Sequence, residues 1–316
     1  ADAAELTLQG MIDQANAGDT IKLSSNTEVH ATLQITKNLT LDLNGCTLRM
    51  TGSGSVLKVS GRATLTITDS SAAKSGTITG GNAEYGGGVY VDDYAALKMT
   101  GGCITDCHAS YGGGGIFSYE NLYMSGTAKI EKCTSKWGSD DAIWNRESCN
   151  IYADGGTVDG TVNNQGTIRR SEGAAAVTVF NGTVYNRSAG KIEAGIYGIY
   201  NGTVENNGTI TGGTFYGAVM IRKGSLSWVS TGSISGGTFY GSIVNEAGPE
   251  QVTGGTFAVR FDTDGGSEIE PTMVEHSRKV QPPSDPEKSG HTFDGWYLGD
   301  EKYNFDTPIT APLTLK

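Results

Sequence analysis

Residues 85–92 read YGGGVYVD and residues 111–119 read YGGGGIFSY. A tyrosine followed by a run of glycines comes back after 26 residues (111 − 85 = 26). A nucleotide-binding loop is used once, whereas a unit that stacks on copies of itself is used repeatedly. The flanking sequence favours the second case. LKMTGGCITDCHASYGGGGIFSYE (97–120) lies over LYMSGTAKIEKCTSKWGSDDAIWNRE (122–147), placing Leu97 on Leu122, Met99 on Met124, Ile104 on Ile130 and Cys107 on Cys133. Ile78 joins the same register one unit earlier.

The second half repeats with other wording. NGTVYN (181–186) returns as NGTVEN (201–206), and GGTFYG (212–217) returns at 236–241, with GGTF again at 254–257. Inside the units are short alternating stretches such as TLQIT, LTLDL and TLTIT, rich in Thr, Val, Ile and Leu and bounded by Gly, Asn and Ser. These are strand signals. No segment between about 20 and 257 carries a helical period. Units of 18–26 residues with about three short strands each predict a parallel β-solenoid. Roughly ten turns spaced about 4.8 Å apart make a rod about 50 Å long. Its corners need positive φ, which Gly and Asn tolerate best.

Composition agrees. Glycine supplies 47 of 316 residues and proline 7. There is no G-X-Y period, so collagen is excluded. A hydrophobic fraction of 37% with 18% charged residues is too apolar for a disordered chain. The net charge of −11 argues against nucleic acid, whose phosphates are held by Lys and Arg. No apolar run is long enough to span a membrane. The start, ADAAELTLQG, lacks the basic and apolar parts of a signal peptide, as a mature or trimmed N-terminus would. Cys46, Cys103, Cys107, Cys133 and Cys149 form no C-x-x-C pair and are read as small buried hydrophobes, with an odd thiol left over and their disulfide state open.

The open start of a solenoid needs a cover. AELTLQGMIDQANAGDTIKL (4–23) provides one, with Leu8, Met11, Ile12 and Ala15 on one helical face and Gly18 ending the helix. A short amphipathic helix running into ANAGDTIKL resembles the opening of right-handed parallel β-helices of the pectate-lyase-like superfamily. The GGGVYV and GGGGIF turns are similar to repeats in adhesin-like bacterial surface proteins. The resemblance covers about residues 5–257, within a domain at 1–257 read as a β-helix with its N-terminal cap, and implies a fold rather than an activity.

From residue 258 the sequence changes. Phe261–Ser267 gives F-x-x-x-G-G-S, a proline-rich middle comes next, and Gly290, Phe293, Gly295, Trp296 and Tyr297 make a G-x-x-F-x-G-W-Y core. VRFDTDGGS reads as a strand and turn, PPSDPEKSGHTFDGWYLG as a turn and aromatic strand, and YNFDTPITAPLTLK as two short strands. Residues 258–316 strongly resemble the Listeria–Bacteroides repeat, or internalin B-repeat. This implies a small β-grasp-like module on secreted and surface-anchored bacterial proteins, with Phe293 and Trp296 in its core. Family members close with an aromatic just after LTLK. This sequence stops before it, so trimming and further modules downstream are expected.

Chemistry is thinly signalled. His30, His108, His276 and His291 have no metal-ligand spacing, and neither metal nor cofactor is expected. No nucleophile elbow occurs, and the glycines at 112–115 precede no K-[ST], which excludes a phosphate loop. Asp92, Asp93, Asp140, Asp141 and Arg146 are the residues a lyase or hydrolase would draw on, but the two aspartate pairs fall at different places in the turn. Solvated corners are the first reading for them. Asn38, Asn181, Asn186, Asn201 and Asn207 match the glycosylation pattern and are read as corner residues.

Tyr85, Tyr111 and Trp137 recur at steps of 26 (111 − 85; 137 − 111), so stacked turns would align their rings in one column. Such a column either steadies a corner or offers a flat strip for sugar rings. The polar residues beside it are Asn82, His108, Asp140 and Asp141. Tyr216 and Tyr240, at a step of 24, are read as structural. The expected function is a non-catalytic, secreted or cell-surface, adhesin-like bacterial protein, monomeric and binding glycans or a host or neighbouring surface protein. The alternative is a polysaccharide lyase or glycoside hydrolase of the pectate-lyase-like superfamily.

Overall fold

The computed structural model describes residues 7–135, 141–145, 150–159, 161–164, 167–169, 177–180, 183–186, 191–192, 196–200, 203–206, 208–221 and 231–316. It is mainly β, with long parallel sheets arranged as a β-helix-like solenoid. A ten-stranded parallel sheet runs from Leu33–Ile35 to Ile243–Asn245 and takes one strand from each turn. The other strands of each turn join a 21-stranded sheet that bends across two faces. Leu122–Glu131 shows the bend. Its first half pairs with Ala96–Met99 and its second with Cys103–Thr105. Leu97 lies on Leu122, Met99 on Met124 and Ile104 on Ile130, in the sequence register. Thr183–Asn186 likewise lies on Thr203–Asn206, and Phe215 on Phe239.

Alternation builds the core. In Thr64–Thr68, Leu65 and Ile67 point inward and are fully buried while the threonines face outward. Stacking then turns each inward position into a column. Leu33, Leu57, Val89, Ile116, Ile143 and Val162 succeed one another on the third face. Each buried aliphatic contributes about 1.5–3 kcal/mol. Near the C-terminal end the filling becomes aromatic. Phe215 and Phe239 stack at 4.9 Å, and Phe257 comes next at 5.6 Å. Polar filling also occurs. Asn164, Asn186 and Asn206 are buried and linked amide to amide at 2.9 and 2.7 Å.

The N-terminal helix spans Leu8–Gln14, with Thr7 accepting from the Gly10 N–H. Leu8 and Ile12 are buried and Ala15 packs beside them. Met11 does not share that face. It is 41% exposed, because the short helix presents only one side to the coil. Lys37 Nζ donates to the Asp13 and Ala15 carbonyls at 2.8 and 2.7 Å, placing a cation at the helix C-terminus.

At the far end, Thr256–Phe261 belongs both to the coil and to the C-terminal segment. Phe257 lies parallel to Phe239, Thr256–Val259 pairs antiparallel with the strand Thr272–Glu275, and Val259–Phe261 pairs parallel with Leu313–Leu315. Trp296 is buried between Phe261 and Phe293, at ring distances of 5.0 and 5.2 Å. The aromatic strand expected before residue 298 is reduced to Tyr297–Leu298, and the last segment has one strand at Leu313–Leu315 rather than two. Tyr297–Leu298 pairs antiparallel with Glu301–Lys302, and Tyr297 and Lys316 exchange backbone hydrogen bonds at 2.8 and 2.9 Å, so short pairings and an aromatic core hold these stretches. Residues 258–316 contain no helix.

Candidate functional site

The glycine repeats sit at a corner where the solenoid departs from three strands per turn. Asn82–Tyr85, His108–Gly112 and Thr134–Ser135 form a small third sheet beside the ten-stranded one. Asn82 lies on His108, and His108 on Thr134, so these positions align as an outward column. The imidazole Nδ1 of His108 lies 2.9 Å from the Thr134 hydroxyl.

The tyrosines do not align as simply. The pairing shifts after Ala109, and Tyr85 stands opposite Gly112. The cause is visible in the sequence: the second glycine run is one residue longer, and the extra residue makes a bulge. Gly86 and Gly113 then occupy equivalent left-handed corners, with φ of 60° and 64°. Tyr111 is pushed outward and is 45% exposed, yet its ring still stacks on Tyr85 at 5.4 Å and 22°. Trp137 and Asp140 lie outside the described residues, and of Asp141 only the backbone, at the start of Asp141–Asn145, is described.

A second aromatic column escapes sequence reasoning. Tyr90, Phe117 and Trp144 pair in register on the third face at equal steps of 27 (117 − 90; 144 − 117). That spacing inside VYV, IFS and IWN is the available signal. Phe117 belongs to the outward set, yet it is 1% exposed. Tyr85 covers it at 4.7 Å, Tyr119 at 5.1 Å, and Tyr90 stacks on it at 5.6 Å and 11°. Trp144 fills the space beside Gly112, where any Cβ would collide with the indole. The aromatic groups therefore spread across the strands as a patch and do not run only along the coil.

Next to this patch opens a cleft of about 740 Å³, between the small sheet and the third face. Tyr85, Tyr90 and Tyr119 line it, with Gln34, Lys58, Asn82, Glu84 and Ser110. Gln34, Lys58 and Tyr90 occupy successive positions of one outward column. Lys58 Nζ lies 3.1 Å from the Asp92 carboxylate and 5.0 Å from the Tyr90 ring centre. Burial, with the neighbouring Tyr119 and Asp92, pushes the Tyr90 phenol up to about 12, so it stays protonated and hydrogen-bonded to Tyr119. Asp92, which a lyase would draw on, is thus engaged with Lys58.

Other features are less suited to a ligand. A hollow of about 200 Å³ near Trp296 is bordered by Asp264, Lys288 and Lys316, whose charges pair with one another at 3.3 Å. Cys107 and Cys133 are buried, and a shared thiol hydrogen bond together with burial holds the Cys133 thiol above its usual range. A buried thiol held protonated, as at Cys133, behaves as a small apolar group. Among the described residues, no group of His, Cys, Asp and Glu has the arrangement of a metal site.

Comparison with known proteins reaches a minor part of the chain. Residues 257–316 match the model of the Listeria–Bacteroides repeat domain. Two curated relatives from Evansella cellulosilytica are similar over 63 residues, 19% of this chain. One, described as a putative Gly-rich membrane protein, is 37% identical over a segment that is 7% of its own length. The other, described as a putative membrane protein, is 36% identical over 10% of its length. The chain thus spans a small fraction of the relatives it matches. No solved structure matches it. Among the described residues, no helix is long and apolar enough to cross a membrane.

Proposed function

We propose that this chain is a non-catalytic, adhesin-like protein displayed on or secreted from a bacterial cell, and that it binds glycans through the cleft beside Tyr85. In this reading residues 1–257 form a right-handed parallel β-helix of the pectate-lyase-like kind, and residues 258–316 a β-grasp-like repeat module. The observation that carries the reading is the tyrosine-lined cleft. Tyr85 and Tyr119 offer aromatic surface, Tyr90 stands between them with its faces taken by Phe117 and Lys58, and Gln34, Asn82 and Ser110 offer uncharged polar groups. Carbohydrate recognition combines these two features: apolar sugar faces pack on aromatic rings while hydroxyls exchange hydrogen bonds with amides and alcohols. The Listeria–Bacteroides match supports a surface location.

The test is a glycan array probed with the whole chain and with Tyr85→Ala and Tyr111→Ala. Binding that Tyr85→Ala weakens by roughly tenfold fits an aromatic contact of about 1.4 kcal/mol. Incubation with pectic and other acidic polysaccharides, with measurement of new reducing ends, addresses the enzymatic alternative. Depolymerisation would replace the binding reading with catalysis.

A further inference from the structure

We infer that the cleft takes a neutral glycan, built of hexose or N-acetylhexosamine units, and discriminates against uronate polymers. This rests on the glycan reading above and adds the ligand's charge class.

Charge decides the matter. Among the described residues, the charged ones lining the cleft are Lys58 and Glu84. Lys58 is the cation a uronate carboxylate would need. Its ammonium is already held by Asp92 at 3.1 Å and lies over the Tyr90 ring. Glu84 is exposed and leaves a negative charge at the cleft. Once Lys58 is paired with Asp92, the local balance is negative. The surrounding field has the same sign, since the chain carries a net charge of −11. A polyanion approaching this cleft meets like charge at short and long range.

The remaining groups suit neutral sugars. Gln34 and Asn82 offer amides that both donate and accept, which matches hydroxyls and N-acetyl groups. A volume of about 740 Å³ falls in the range of small-molecule sites and fits a short stretch of an oligosaccharide.

The experiment titrates the full chain with cello-, manno- and N-acetylchito-oligosaccharides and, separately, with oligogalacturonates, at low and high salt. The expected result is binding to at least one neutral series, unchanged by salt, and none to oligogalacturonate. Glu84→Lys should then gain oligogalacturonate binding by roughly tenfold or more, and salt should erase the gain. An unchanged melting temperature would show that this exposed substitution leaves the fold intact. Glu84→Gln, with the charge removed and the shape kept, should give a smaller shift in the same direction. A parent protein that prefers oligogalacturonate and releases it in salt overturns the inference but leaves glycan binding standing. A parent that retains no glycan of either class overturns the glycan reading and this inference with it.

Discussion

The side-chain amide of Gln9 pairs with the backbone of Gln34: its Oε1 accepts from the Gln34 N–H at 2.8 Å, and its Nε2 donates to the Gln34 carbonyl at 3.2 Å. A glutamine on the N-terminal helix thereby imitates one residue of a missing strand. Leu33–Ile35 is the first strand of the ten-stranded sheet, and its outer edge would otherwise present open backbone groups. Gln9→Ala removes both bonds while leaving the buried Leu8 and Ile12 in place. The expected cost is about 1–3 kcal/mol, read as a lower denaturant midpoint with an unchanged slope. Gln9→Glu keeps an acceptor and loses the donor, so it should fall between the parent and the alanine variant.

The buried asparagines form a second polar device. Asn186 accepts from Asn164 and donates to Asn206, and Asn206 donates onward to the Ser233 carbonyl at 3.0 Å. Asn186→Ala removes the acceptor of the Asn164 amide N–H and the donor to the Asn206 amide oxygen. A loss of about 1–3 kcal/mol is expected for breaking these two buried bonds. The same burial governs modification. In a glycosylating host Asn186 should remain bare despite its N-x-S context, and peptide mass spectrometry checks this directly.

These two features also mark what the sequence leaves illegible. The repeats are readable because Leu97 and Leu122, or Thr183 and Thr203, are chemically alike and fall at the same place in each turn. The core columns come from that likeness. The bulge at Tyr111 is hidden because a 26-residue step between tyrosines looks regular, although one glycine more in the second run shifts the pairing. Comparing aromatic residues beside the glycines points to Trp137, whereas Trp144 sits inside a strand and emerges only from strand register. Of the Asn164–Asn186–Asn206 ladder, Asn186 reads as a corner residue in the sequence, since alternation alone cannot reveal that a polar residue points inward with its partners already present. In the C-terminal segment, Trp296 reads correctly as core, but of the aromatic stretch around it only Tyr297–Leu298 forms a strand, paired with Glu301–Lys302.

Acid should unfold the N-terminal half through two aspartates. Burial alone would raise the Asp42 carboxyl, but hydrogen bonds from Ser70 and Asn44 and the charge of Lys22 outweigh it and hold it below the usual range. Asp69 behaves likewise. Burial opposes ionisation, and backbone N–H groups of Gly76, Ser71 and Gly45 at 2.6, 3.0 and 2.8 Å overcome it. Both carboxyls are therefore more acidic in the folded chain than in the unfolded one. Their stabilisation is fully present above the unfolded value of about 3.9 and is lost as pH falls through the lower folded values. Thermal melts should show little change from neutrality down to about pH 5 and a steep fall below about pH 4. Asp69→Asn should lower the melting temperature at neutral pH, because one carboxylate oxygen's bonds are lost. It should also flatten the acid slope.

The shared strand Thr256–Phe261 makes the C-terminal module the cover of the coil's last rung. One edge of Thr256 and Phe257 is occupied by Thr238 and Phe239, and the other by Thr272–Glu275. Val274 is buried opposite Phe257, and Arg260 Nη1 donates to the Tyr240 carbonyl at 2.6 Å, tying the segment back to the preceding turn. Deleting residues 262–316 leaves this strand with open backbone groups and uncovers Phe257 at the end of the Phe215–Phe239–Phe257 column. Edge pairing between chains is the expected consequence, visible as concentration-dependent oligomers in light scattering and as a loss of protection around residues 238–257 in hydrogen exchange. Restoring residues 262–278 alone returns the covering strand without the Trp296 core, and should recover part of the protection. A truncated chain that stays monomeric, with undiminished protection in its last turn, would show that the rung closes without the module.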